Sequence, residues 1–61
     1  MSKKDYIIIA RAIRAIWENV DDYRAKEVIA MIVAELSGEL KDDNIHFDPG
    51  KFYDATIGIL A

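Results

Sequence analysis

Apolar positions recur along the first third of this chain at helical spacing. Tyr6, Ile9, Ala10, Ile13, Ile16, Trp17 and Val20 follow one another by three, one, three, three, one and three residues, which places them on one stripe of an α-helix. Ser2 stands where an N-cap is needed, with Asp5 three residues on, the capping-box spacing with Asp in place of the usual Glu. The pattern therefore predicts a helix over residues 3–19 with the stripe facing the core. Arg11, Arg14 and Glu18 lie opposite it in the manner of a solvated face. A second apolar line, Ile8, Ala12 and Ala15, consists largely of small residues that let another helix approach closely. It is either a subunit seam or the edge of an unusually wide core face.

The segment "NVDDY" at 19–23 breaks the period, and Asp21 or Asp22 can cap a second helix, with the carboxylates near its positive N-terminus. So short a turn implies antiparallel neighbours. Ala25, Val28, Ile29, Ile32, Val33, Leu36 and Leu40 form the next stripe, while Ala30, Met31 and Ala34 fill much of the remaining circumference, so this helix is expected to be the most buried element. Ser37 and Gly38 interrupt the apolar sequence without shifting its phase. One helix over 22–43, with Gly38 costing up to about 1 kcal/mol inside it, is the first reading, and a split at Gly38 is the second. Met31 and Gly38 join Ile8, Ala12 and Ala15 as candidates for an oligomer interface. Two-residue alternation is absent over any useful length, so the predicted class is all-α.

In the stretch "NIHFDPGKFYDA" four residues share one task. Asp48 is a natural N-cap and Pro49 falls at the first helical position, where its missing N–H costs nothing. Phe47 and Phe52 then occupy the two positions that meet in a hydrophobic staple. A third helix is predicted over 49–58, offering Phe52, Ala55, Thr56 and Ile59 to the other two. The competing reading is an anion site built from the free amides of this helix start with Lys51 and His46. "PGK" lacks the spaced glycines and following Ser/Thr of a phosphate loop, and Asp48 already occupies the amides, so structural capping is preferred.

Composition decides how these helices hold together. A chain of 61 residues makes one domain, here 1–61, and buries only about 60% of the surface its unfolded form exposes. It has no cysteine and one histidine, which removes disulfides, thiolate zinc sites and thiol catalysis as aids to stability or function. Yet it is 52% hydrophobic, more than one short bundle can hide. The expected architecture is therefore a small three-helix bundle completed by homodimerisation, most simply about a twofold axis. "YIIIA" behind Lys3 and Lys4 is cut short by Arg11 and Arg14 before a secretory core is complete, and no stretch approaches about 20 apolar residues. A cytoplasmic protein that does not cross a membrane is expected.

Asn44, Phe47, Asp48, Phe52 and Ala55, in the frame N-x-x-F-D-x-x-x-F-x-x-A, together with "MSKKDY" and Ile9-Ala10 near the start, resemble small bacteriophage and prophage accessory proteins. Those begin with a similar basic "MS" segment and end in an "NPxFDxxRF" helix. This chain departs from them with Ile45 where proline is common and Lys51 where arginine is common. The resemblance implies a phage accessory protein working in the host bacterial cytoplasm, and it supplies no catalytic residues.

The residues themselves argue in the same direction. The paired carboxylates Asp21/Asp22 and Asp42/Asp43 sit at helix ends, where capping and solvation explain them, and few nucleophiles remain, so an enzyme is not expected and neither is a cofactor or metal. The formal net charge of −3 disfavours general nucleic-acid binding. A DNA-binding regulator remains an alternative through Lys3, Lys4, Arg11, Arg14, Arg24 and Lys26, although the third helix brings only Lys51 as a base-reading cation. An oligomer sequestering a nucleotide through Arg24, Lys51 and His46 is a further alternative. The preferred reading is a non-enzymatic protein-interaction module whose acidic face, Glu35, Glu39, Asp42 and Asp43, meets a host protein and inhibits a host defence system or enzyme. The plainer alternative for that face is a solvated helix surface.

Overall fold

A computed structural model describes residues 2–58 as three α-helices, α1 (Lys3–Asn19), α2 (Tyr23–Asp43) and α3 (Pro49–Thr56), with no strand among them. The 21 residues of α2 span about 31 Å at 1.5 Å per residue, which accounts for the 33 Å long axis of a molecule only 20 × 18 Å across. α2 continues without a break through Ser37 and Gly38.

Each helix start is held by a side chain. At α1 the Ser2 hydroxyl accepts from the Asp5 N–H at 3.4 Å, and the Asp5 carboxylate accepts from the Ser2 N–H at 3.0 Å and from its hydroxyl at 3.2 Å. Those two donors, backbone first, hold the Asp5 carboxyl below its ordinary pKa. Asp22, one of the two residues expected to cap the second helix, is its N-cap and accepts from the Ala25 N–H at 3.0 Å. Asp48 does the same for Lys51 at 3.1 Å, with Pro49 at the first helical position.

The core is small and lies where α3 wedges between the other two helices. α3 packs mainly on α1 and also on α2, while α1 and α2 touch each other least. Ala10, Val33, Leu40, Phe47, Phe52 and Ile57 are buried, with Tyr6, Ile9, Ile13, Trp17, Ile29, Ala30 and Leu36 packed around them. Phe47 is central: its ring meets Tyr6 edge-on at 4.9 Å between centroids and Phe52 at 5.3 Å, the staple contact that sets the entry angle of α3.

Four expectations require correction. α2 is not the most buried element: only Val33 and Leu40 of its 21 residues are buried, whereas Phe52 and Thr56 are buried in the eight of α3. Val28 and Ile32, assigned to its core stripe, are exposed, as is Ile16 on α1. The physical reason is that α3 has only eight residues, so it can cover one side of each long helix and no more. Third, α3 ends at Thr56 rather than at position 58. Gly58 turns back there, and its N–H and that of Ile57 both donate to the Tyr53 carbonyl at 2.9 and 3.0 Å. Fourth, Ala55 is exposed rather than packed, while Ile59 lies outside the described residues.

Candidate interaction surfaces

The most developed surface runs along α2, on the side that neither α1 nor α3 reaches. Successive steps of four, three, one, three and four residues carry Arg24, Val28, Met31, Ile32, Glu35 and Glu39 along one face, an arc of about 100° at 3.6 residues per turn. Val28, Met31 and Ile32 are 53%, 61% and 53% exposed. With Leu36, Glu35 and Glu39 they line a shallow, almost wholly apolar groove of about 410 Å³. Exposed aliphatic groups in a row, rimmed by carboxylates, are the usual make-up of a protein-binding surface and an uncommon one for free solvent contact.

The structure thus brings one expected interface residue, Met31, onto the same face as two expected partner-binding residues, Glu35 and Glu39. Asp42 and Asp43 continue the acid to the C-terminal end of α2, and both are exposed. Gly38 is exposed as well, and a Cβ built on it would meet nothing within 4 Å. Ile8, Ala12 and Ala15 are exposed on α1. Of these, Ala15 faces a different groove, about 540 Å³, which also takes in Ile7, Arg11, Arg14, Lys51 and Asp54 between α1 and α3.

Neither His46 nor Arg24 lines that second groove, so Lys51 is not gathered with them around one space. The start of α3 is occupied by Asp48, and His46 is exposed in the preceding turn with its N–H on the Asn44 side-chain oxygen at 3.0 Å. Among the described residues no three His, Asp or Glu side chains gather closely enough to hold a metal ion, and no helix is long and apolar enough to cross a membrane.

Two cations have structural work that periodicity did not reveal. Arg14 was placed on the solvated face, yet its guanidinium reaches across to α3 and donates to the Thr56 carbonyl at 3.2 Å and the Gly58 carbonyl at 2.6 Å. It also stands 3.5 Å from Glu18. A cation at a helix C-terminus satisfies carbonyls that have no intrahelical donor and complements the dipole. Lys41 instead reaches past the end of α2 and donates to the Ile45 and Phe47 carbonyls at 2.7 and 3.1 Å, which fixes the turn before α3. Its position in the last turn of α2 was the available signal. Lys26 lies over the Trp17 ring at 4.2 Å, so part of the basic set proposed for DNA is already engaged within the chain.

No protein-family model, curated protein or solved structure matches this chain.

Proposed function

We propose that this protein is a non-enzymatic interaction module of the phage accessory type, a small helical homodimer that binds a host protein and blocks it. The observation that carries the reading is the uncovered face of α2, where Val28, Met31 and Ile32 run directly into Glu35, Glu39, Asp42 and Asp43. The apolar centre supplies affinity between the two copies, and the carboxylates that run past it supply selection for a basic surface such as the nucleic-acid-binding face of a host protein. Inhibition then follows from occupancy, because a basic site covered by this helix is closed to its own polyanionic ligand. The resemblance of the first and last segments to phage accessory proteins supports the host setting.

Reversing Asp42 and Asp43 tests the reading at the end of α2 farthest from the apolar centre. Lysine is favourable at a helix C-terminus, so Asp42→Lys/Asp43→Lys keeps the fold. Immobilised wild-type protein is expected to retain a basic protein from bacterial lysate in a salt-sensitive manner, and the double variant to lose it. Equal capture by both would overturn the acidic-face reading.

A further inference from the structure

Resting on that reading of a dimeric module, we infer that α2 itself is the seam: two copies pack antiparallel through Val28, Met31 and Ile32, with Arg24 of each set between Glu35 and Glu39 of the other. The charge order along α2 selects this arrangement. Along the exposed arc Arg24 stands at the N-terminal end, the apolar residues in the middle and Glu35 and Glu39 at the C-terminal end, while the carboxylates nearest Arg24, Asp22 and Glu27, lie off that arc, Asp22 as the cap of the helix. A parallel pair would set Arg24 against Arg24 and Glu35 against Glu35. An antiparallel pair sets unlike charges together twice.

The register follows from helix geometry. If Val28 faces Ile32 of the second copy, the twofold axis passes beside position 30 and the two Met31 side chains meet across it. Arg24 then lies level with position 36 of the second copy, displaced along the axis by about 1.5 Å from Glu35 and about 4.5 Å from Glu39. The two Glu35 residues are about 15 Å apart along the axis, beyond the reach of strong repulsion in physiological salt. Among the described residues the ion pair within the chain is Arg14 with Glu18, so Arg24, Glu35 and Glu39 remain available to a second copy.

The line on α1 offers less: paired antiparallel about Ala12, its charged flank of Lys4 and Asp5 meets Asn19 and Val20, and the nearest unlike charge to Lys4, on Glu18, is already paired with Arg14. The α2 seam also leaves the acidic ends free. The second copy's helix begins at Tyr23, level with position 37, so Asp42 and Asp43 project past it at both ends of the dimer.

Sedimentation equilibrium across a dilution series, with circular dichroism to confirm helicity, tests the seam. The wild type is expected to be a dimer, and Arg24→Glu or Glu35→Arg/Glu39→Arg to weaken its dissociation constant roughly tenfold or more. Combining Arg24→Glu with Glu35→Arg/Glu39→Arg should restore it, which a loss of folding would not do. Met31→Glu should give a folded monomer, and Ile8→Glu should leave the dimer intact. A dimer that Ile8→Glu dissociates and the α2 variants spare overturns this seam and leaves the interaction module standing. A wild-type monomer at every concentration overturns the dimer itself, and the Asp42/Asp43 capture experiment then decides the rest of the reading independently.

Discussion

Asp5 shows how much one side chain can do at a helix start without any burial. Its carboxylate closes the capping box with Ser2 and is held below its ordinary pKa by the hydrogen bonds it accepts there. The depressed pKa means that folding favours the charged form. The contribution is therefore fully present above the ordinary carboxyl value of about 4 and is lost as pH falls through the lower folded value. Asp5→Asn is expected to remove that part of the acid dependence and to fray the first turn at neutral pH, measured by hydrogen exchange of the amides near Asp5 across a pH series. Arg14 makes the complementary point at a helix end. Its stem passes for a surface residue in the periodic pattern, and only the position of α3 turns it into a cap.

At the scale of the elements, two glycines separate cost from necessity. Gly38 sits inside α2 with open space where a Cβ would be. Gly38→Ala is accordingly expected to stabilise the fold by roughly 0.5–1 kcal/mol through the unfolded chain and helix propensity. Gly58 ends α3, where a Cβ would lie 2.7 Å from the Asp54 Cα and 3.2 Å from the Tyr53 carbonyl oxygen. Backbone atoms cannot move aside as a flexible side chain can, so Gly58→Ala should destabilise by about 1–3 kcal/mol. Urea unfolding of the two variants checks both signs, and opposite shifts of the midpoint are expected.

For the whole molecule, stability hangs on a few aromatic contacts, because only six hydrophobic residues are buried among those described. Phe47 joins Tyr6 of α1 to Phe52 of α3, so its loss uncouples the two helices that pack on each other most. Truncating a buried Phe costs about 3–5 kcal/mol, which equals what a chain of this size is expected to possess. Phe47→Ala is therefore expected to abolish cooperative thermal unfolding in dilute solution, while Phe47→Leu retains a lowered transition, as differential scanning calorimetry would show.

The helices, their caps and the staple were legible in the sequence because each depends on residues within five positions of one another. Ser2 with Asp5, Asp48 with Pro49, and Phe47 with Phe52 satisfy local backbone donors or local packing, and no distant element need be known. Which side of each apolar stripe is covered was not legible. Val28 and Ile32 carry the same periodic signal as Val33 and Leu40, yet the first pair is exposed and the second buried. That division depends on where an eight-residue helix can reach once Phe47 has set its angle, and it turns two of the seven residues of α2's stripe from core into surface. Sequence alone thus determined the elements and where each begins, whereas tertiary packing decided which apolar face remained open, because burial is a property of the neighbours and not of the residue.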